Sequence, residues 1–304
     1  QNSVSETEMQ RRKLWREGFR PYQQTNIWRR MDKTEMMLSA QAVSGLSMVC
    51  ARDVHHEADI IAALMRKTLH QSGKTALLVT PDRKLARSVC AALLRWGIEI
   101  EDSAGQPLSQ TPAGSYLDLI AGWTASEGSA DSLLALAKHQ HASGGLAKAD
   151  FNHHIRQIER NILRDVLVAD NAAGIAAQLE GEEKYRSEAQ FYADHILSPL
   201  SPLTQLLTRP VVSLAELSAA HGQAAENLAQ NEFENEAVAD LWSGADGKSA
   251  AQLLSDLAQY GQNIMISPTD YAACFYQLSH AQTVRTSWRS HPRLAILGTV
   301  EARM

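Results

Sequence analysis

Apolar residues follow two patterns along this chain, and each pattern predicts a different element. Continuous apolar runs of strand length occur at 46–51 (LSMVCA), 75–80 (TALLVT) and 294–298 (LAILG). Such runs are typical of parallel strands that are buried on both faces. Between the first two runs, residues 54–70 carry apolar side chains at helical spacing, which predicts an amphipathic helix.

The pattern after residue 80 extends this alternation. Pro81 and Asp82 are typical of a helix start, and the apolar spacing predicts a helix to Trp96 with Gly97 as its C-terminal stop. Residues 98–102 alternate in character and predict a third strand. The order strand, helix, strand, helix, strand predicts a βαβαβ unit with right-handed crossovers.

Residues 124–284 are rich in Ala, Leu and Gln and contain no convincing strand run. We expect an α/β unit that is interrupted by a helical insertion and resumes at 294–298. Because a buried strand needs sheet neighbours, we also expect the chain to be part of a longer protein. The predicted insertion helices are 129–141, 150–168, 185–208, 213–230, 236–259 and 268–279. The predicted segments are a helical 1–45, an α/β part at 46–122, the insertion at 123–284 and a resumption at 285–304.

Composition narrows the class of protein. The chain has 304 residues, 44% apolar residues and a net charge of −5, which argues against disorder and against a generally basic nucleic-acid binder. Its three cysteines are far apart, which excludes a disulfide scaffold and a CxxC metal or redox motif. No apolar run reaches the length of a membrane span, so a cytoplasmic protein is expected.

Three motifs that could carry chemistry have simpler interpretations. Gly73-Lys74-Thr75 matches the end of a phosphate-binding loop, but a helix precedes it and a strand follows, so a turn is expected. The histidine pairs lack the spacing of zinc ligands and are expected to be solvated, and the acids at 180–183 are expected to form a solvated face. The histidine pairs are His55 with His56, His139 with His141 and His153 with His154.

The segment after the second apolar run is the most informative. Parallel strands bind ligands beyond their carboxyl ends, which places Thr80, Asp82, Arg83 and Arg87 at a candidate edge. The simpler alternative is a helix start with Asp82 near the helix dipole and solvated arginines. Asp102 and Ser103 are candidates at the end of the third predicted strand.

Three strings in this sequence resemble a known family: TALLVTPDRKLAR, ALLRWGIEIEDSAGQPL and HPRLAILGTVEAR. They look like the AddB subunit of the bacterial AddAB helicase–nuclease, in its alphaproteobacterial form. The resemblance implies an incomplete RecA-like parallel sheet, that of the second domain of a superfamily 1 helicase, interrupted by an all-helical 2B-like insertion. It is specific at 75–108 and 291–303, and it implies that Arg87, or alternatively Arg83, matches the arginine of a helicase motif.

The sequence departs from active relatives after the last strand. Residues 298–303 lack the small, lysine-bearing turn that couples nucleotide to DNA in active helicases, so the resemblance implies a degenerate, non-catalytic region with Glu301 and Arg303 in structural or DNA-backbone roles. It implies DNA and an AddA-type subunit as partners, no membrane, and a nucleoid-associated location. ATP coupling, a divalent metal and an iron–sulfur cluster are implied for the whole complex, and no cofactor for this region. The chain itself is expected to show neither ATPase nor nuclease activity.

Two alternatives stay open from the residues alone. One is a small-molecule site at the strand ends near residues 80–83 and 102–105. The other is an interaction module, because residues 170–240 carry twelve acids and three bases and could dock a basic partner. Residues 1–33 have a net charge of +4 and could contact phosphates.

Overall fold

The computed structural model describes residues 6–30, 40–100, 105–164, 170–232, 236–285 and 291–303. The chain is mostly helical and divides into two compact units, Gln1–Ile60 and Ile61–Met304. Among the residues it describes, no helix has both the length and the apolar character needed to cross a lipid bilayer.

Helices dominate the described part of the chain, and the strands between them are short. The α-helices are α1 (Glu6–Gly18), α2 (Ala40–Val43), α3 (Val54–Leu69), α4 (Arg83–Leu94), α5 (Pro112–Ala125), α6 (Ala130–Ala137), α7 (Lys148–Ile158), α8 (Ala172–Glu180), α9 (Arg186–Tyr192), α10 (Ser198–Thr204), α11 (Leu214–Ala229), α12 (Glu236–Leu241), α13 (Gly244–Tyr260) and α14 (Pro268–Ala281). The strands are β1 (Ala76–Val79), β2 (Gln106–Pro107), β3 (Val212–Ser213), β4 (Met265–Ile266), β5 (Thr283–Val284) and β6 (Leu294–Leu297).

The first unit is built from short helices. Helix α1 and the 3₁₀ helix Tyr22–Arg30 contain no buried side chain. The guanidinium of Arg11 ties α1 to α2 by donating to the carbonyls of Ala42, at 3.2 Å, and Ser44. The strand predicted at 46–51 is wrong, because residues 46–50 are irregular and exposed. A strand requires a neighbouring strand to bind its backbone, and the described part of this unit has none.

Strands β1 and β6 form a parallel pair, although most of the chain separates them. Ala76 pairs with Leu294 and Val79 pairs with Leu297. One face of the pair is buried at Leu294 and Ile296, whereas Leu77 and Val79 on the other face are 54% and 45% exposed. The small parallel sheet agrees with the α/β prediction, but the expectation that β1 is buried on both faces is wrong.

The third predicted strand, at 98–102, is also wrong over its described part. Residues 98–100 are irregular, and residues 101–102 lie outside the described residues. The backbone N–H of Ile98 donates to the carbonyl of Leu93 at 3.2 Å, and the thiol of Cys90 contacts the carbonyl of Ile100 at 3.7 Å. The segment therefore folds back onto α4. The N–H of Ile98 and the carbonyl of Ile100 contact groups of α4 instead of a neighbouring strand.

Two predicted turns are confirmed. Gly97 ends the α4 region with a φ of 67°, and Gly73 has a φ of 71° in the turn between α3 and β1. Because a strand and not a helix follows Gly73, its amides do not form a phosphate-binding helix terminus. Arg293 donates to the carbonyls of Leu69 and Gln71, both at 3.0 Å, and so joins the end of α3 to the start of β6.

A short antiparallel pairing, which we call the neck, closes the helical region. Strand β2 pairs with β5, and Leu108 N donates to Gln282 O at 2.8 Å. Gly105, with a φ of 68°, precedes the neck, and a Cβ built on it would lie 2.5 Å from Val284 O. A glycine is therefore required where the two chain segments meet. The start and the end of the helical region lie side by side.

Helices α5 to α14 share one apolar core, which begins at Leu108 and ends at Val284. Helix α11 packs against α10 and α13, and α5 packs against α14. The core therefore starts before the boundary predicted at 122/123, and the four-segment division of the chain stays a prediction. The largest fully buried side chains of this core include Trp123, Tyr116, Tyr192, Tyr271, Phe151 and Phe275.

Most insertion helices agree with the sequence pattern. The helix predicted at 236–259 is instead two helices, because Gly244 has a φ of 67° and breaks the run between α12 and α13. The helices predicted at 150–168 and 185–208 contain π-turns at Glu159–Leu163 and Ala193–Leu197. Residues 165–168 of the first prediction lie outside the described residues. Helices α5 and α8 were not predicted from the sequence pattern.

Two glycines of α5 have opposite surroundings. A Cβ on Gly114 would overlap the carbonyl oxygen of Leu108, whereas a Cβ on Gly122 would meet no atom within 4 Å. We predict that Gly114→Ala lowers the free energy of unfolding by about 1–3 kcal/mol through this overlap. Gly122→Ala should raise it by about 0.5–1 kcal/mol, because alanine favours the helix. Urea denaturation of both variants measures the difference, and a neutral Gly114→Ala variant would contradict the close approach.

His221 lies fully buried at the centre of the helical core. Its Nε2–H donates to the carbonyl of Leu117 at 3.0 Å, so its Nδ1 accepts from the hydroxyl of Tyr271 at 2.9 Å. Burial lowers the pKa of His221 to about 4. Both ring nitrogens are satisfied in the neutral form, so a charge on this ring would be solvated by neither water nor a carboxylate.

This burial predicts a loss of stability in acid. A histidine of the unfolded chain binds a proton near pH 6.5, whereas native His221 binds one only near pH 4, so the free energy of unfolding should fall as the pH drops through this window. His221→Gln, which can keep both hydrogen bonds, should reduce that pH dependence. Denaturation at pH 7 and pH 5 tests it, with exposed His153→Gln as the control; equal slopes in all three proteins would contradict it.

Candidate functional site

The carboxyl ends of β1 and β6 and the first turn of α4 form one edge of the α/β part. Thr80 follows β1 directly, and its buried hydroxyl accepts a hydrogen bond from Asp82 N at 3.1 Å. Asp82 caps α4, because its Oδ1 accepts from Lys84 N at 2.8 Å and from Leu85 N at 3.2 Å. The capped turn fixes the path of the chain from the strand into the helix.

Arg83 turns back towards the strand ends instead of extending into water. It is half-buried, and its Nη2 donates to the carbonyl of Thr80. Gly298 follows β6, and the side chain of Glu301 folds over it. A Cβ built on Gly298 would overlap Oε2 of Glu301 and lie 3.6 Å from Nη2 of Arg83. A cation from the first strand end and an anion from the last therefore lie on the same edge.

Arg87 has a different environment from Arg83. It lies one turn further along α4, and its Nη1 donates to Oε1 of Gln110. Gln110 belongs to the 3₁₀ turn Leu108–Gln110, directly after the neck strand β2. Arg87 therefore joins α4 to the start of the helical region, and it does not lie free at the strand ends.

The structure brings four of the predicted residues together: Thr80, Asp82, Arg83 and Glu301. Asp102 and Ser103 lie outside the described residues, and the backbone of Arg303 belongs to the 3₁₀ turn Glu301–Arg303. Gly298 and Gln110 were not among the predicted site residues. A glycine directly after a buried strand was a readable signal for Gly298, whereas Gln110 becomes relevant only through the tertiary fold.

A second polar cluster lies in the helical region, around the pair His139 and His141. Both rings are half-buried, and the ring of His139 stacks on buried Tyr116 with 5.2 Å between centroids. The expectation that these two histidines are solvated is therefore wrong. The helix α5 that carries Tyr116 was not predicted, so its aromatic face could not be foreseen.

The hydrogen bonds of His139 fix its protonation. Its Nδ1 accepts from His141 N at 3.3 Å, so the proton is on Nε2, which lies 3.2 Å from the hydroxyl of Ser115. Burial lowers the pKa of His139 to about 4. Ser115 in turn donates to the carbonyl of Pro112 at 3.1 Å. A base must accept the serine proton, so this pair does not have the geometry of an activated nucleophile.

A polar cavity of about 300 Å³ adjoins this cluster. Lys148 lines it and donates to the carbonyls of His139, at 2.6 Å, and Ala142. Burial lowers the pKa of Lys148 to about 8. The two hydrogen bonds of the Lys148 ammonium group stabilise the turn after α6, which is a structural role. The other residues that line the cavity are Gln140, His141, Ser143, Asn231, Ala237 and Asp240.

In the part of the chain that the structure describes, no group of three or more His, Cys, Asp or Glu side chains could hold a metal ion. The acids near residue 182 instead pair with neighbouring bases, Glu182 with Lys184 at 2.7 Å and Glu183 with Arg186 at 2.8 Å. These four side chains are exposed, as expected for a solvated face.

A scan against models of protein families finds no match to this chain, and a search of curated proteins finds no relative of it.

The Asp82 cap supports a stability prediction. Asp82→Ala removes the acceptor of two backbone N–H groups and should lower the free energy of unfolding by about 1 kcal/mol. Asp82→Asn keeps an acceptor of the same shape, so it should lower the free energy of unfolding by only about 0.3 kcal/mol. Urea denaturation of both variants measures the effect, and an equal loss in both would show that charge and not capping matters.

Proposed function

We propose that this chain is the non-catalytic, helicase-like region of an AddB-type subunit of a DNA-end-processing helicase–nuclease. In this role the α/β part is an incomplete RecA-like domain, and helices α5 to α14 are its 2B-like insertion. The region guides a DNA strand and docks an AddA-type subunit. ATP hydrolysis and strand cleavage belong to other parts of the complex.

The single observation that carries the proposal is the pairing of β1 with β6. The two strands are parallel neighbours, and an entire helical region lies between them in sequence. A superfamily 1 helicase whose second RecA-like domain is split by an insertion has the same arrangement. The resembling strings at 75–87 and 291–303 fall at the two strand ends that meet in this pair.

The edge at these strand ends supports a DNA-handling role. Ligands of open α/β sheets bind beyond the carboxyl ends of strands, and Arg83 and Glu301 lie there together. A guanidinium suits phosphate recognition, and the hydrogen bond from Arg83 to the carbonyl of Thr80 holds this one at the strand end. Exposed Lys84 adds a second cation to the first turn of α4.

The exposed face of β1 supports the docking role. Leu77 and Val79 present aliphatic side chains to solvent on one side of a parallel pair. Parallel sheets are usually covered on both faces, and aliphatic side chains favour a protein over DNA as the covering partner. In the proposal this partner is the AddA-type subunit.

The arginines give the direct test. In a complex with the AddA-type subunit, Arg83→Ala/Arg87→Ala should weaken DNA-end binding by about tenfold, or roughly 1.4 kcal/mol. Arg83 would contact a phosphate at the strand ends, and Arg87 holds α4, which carries that edge, against the helical region. It should also alter the pattern of degradation products. Arg156→Ala/Arg160→Ala removes two exposed charges elsewhere and is the control.

Several outcomes would contradict the proposal. Unchanged DNA affinity and an unchanged product pattern in Arg83→Ala/Arg87→Ala would overturn the residue assignment. A thermal shift of the chain with a nucleotide, and none with DNA, would favour a small-molecule site at the strand ends instead. Because Arg83 and Arg87 also bind groups within the chain, the melting temperature of the double variant separates lost folding from lost binding.

A further inference from the structure

The first compact unit exposes a set of aromatic rings beside exposed arginines. We call this set the basic–aromatic surface; it lies within residues 6–30 and has no part in the strand-end site. Phe19 and Tyr22 are 77% and 81% exposed, and Trp15 and Trp28 are exposed as well. Helix α1 and the following 3₁₀ helix bury no side chain. The rings therefore do not form a core in the described chain. The surface consists of Trp15, Phe19, Tyr22 and Trp28 together with Arg16, Arg29 and Arg30.

The rings are held in a defined arrangement. Trp15 and Phe19 stack with 5.5 Å between centroids and 20° between planes. The backbone N–H of Phe19 donates to the carbonyl of Trp15 at 2.9 Å, so the two rings project one turn apart on the same side of α1. The indole N–H of Trp28 donates to the carbonyl of Glu17 at 3.2 Å, which satisfies its polar edge.

Glu17 organises the turn between α1 and the 3₁₀ helix. Its Oε1 accepts from Nη2 of Arg20 at 2.8 Å, and this hydrogen bond lowers the pKa of the Glu17 carboxyl. Its carbonyl binds Trp28 at the same time. One residue therefore joins both sides of the turn and holds Trp28 next to the end of α1.

Charge on this surface is opposite to that of the rest of the chain. Residues 6–30 carry seven Lys or Arg and three Asp or Glu, a net charge of +4, whereas the whole chain carries −5. The remaining residues therefore have a net charge of −9. Among the described residues, Arg29 and Arg30 form no ion pair. Arg16 is largely exposed and reaches Glu17 only at 3.7 Å.

We propose that the basic–aromatic surface binds single-stranded nucleic acid. Guanidinium groups bind the phosphates, and exposed aromatic rings stack with bases. The bases of a duplex already stack on one another, so planar rings favour an unpaired strand. An anionic membrane is the weaker match, because an interfacial helix needs a continuous apolar face, and most positions of α1 are charged or polar. The proposal rests on residues 6–30 and not on the helicase-like assignment.

Fluorescence anisotropy of a labelled 20-nucleotide oligo(dT), titrated with the 304-residue chain, tests the stacking. Trp15→Ala/Phe19→Ala should raise the Kd at least about fivefold, the lower end of the range for one lost stacking contact. Trp15→Phe keeps a ring and should bind within about twofold of the unaltered chain. Tyr260→Ala removes an equally exposed ring from α13 and should leave the Kd unchanged.

The salt dependence tests the charges. Arg29→Ala/Arg30→Ala should reduce the slope of log K against log salt concentration by about 1.4, because each lost contact to a single strand contributes about 0.7. Arg160→Ala/Arg186→Ala removes the same charge from the helical region and should keep the slope. Neither pair of positions is buried, so both variants should keep the melting temperature.

Four outcomes would overturn the proposal. They are no binding of oligo(dT) by the unaltered chain, an unchanged Kd in Trp15→Ala/Phe19→Ala, equal or tighter binding of a matched duplex, and binding of phosphatidylserine vesicles in place of oligo(dT). Loss of Arg83 and Arg87 leaves this surface intact. A failed test at the strand ends, with oligo(dT) binding retained, would therefore contradict only the proposed function.

Discussion

The second unit depends on one short pairing, the neck between β2 and β5. Joining β1 to β6 without it would mean closing a loop that contains every residue of the helical region, and the entropic cost of closing a loop rises with its length. The neck brings the two ends of the helical region together inside its own folded core. The parallel strands then need only the segments 80–105 and 285–293 to reach one another. Folding of the helical region therefore lowers the entropic cost of pairing β1 with β6.

Because the neck closes the helical region, the strand-end edge combines residues from both sides of that region. Arg83 belongs to the segment before the helical region, and Glu301 to the segment after it. The two side chains share this edge because the parallel pairing of β1 with β6 brings the two segments together. Arg87 extends this coupling, because its hydrogen bond to Gln110 joins α4 to the residues next to the neck. Arg87 therefore links the helix that carries the strand-end site to the helical region.

The sequence predicted local structure better than tertiary partners. The amphipathic pattern of 54–70, the helix start near Asp82 and the Gly97 stop depend on neighbouring residues, and each appears in the structure. The strand at 46–51 was predicted from an apolar run and the strand at 98–102 from alternation, and neither pattern reveals whether a neighbour exists to bind the strand. In the site, Asp82 was readable as part of a helix start, but the approach of Glu301 to Gly298 and the stacking of His139 on Tyr116 depend on the tertiary fold.

The neck also determines how the helical region is connected to the rest of the chain. Pro107 and Thr283 are paired neighbours, so the chain enters and leaves the helical region at the same place, much as it does at a tight hairpin turn. Segments joined in this way can be lengthened, shortened or exchanged with little effect on the host, as is seen when domains are inserted at surface turns. The neck beside Gly105 has the geometry that permits such exchange.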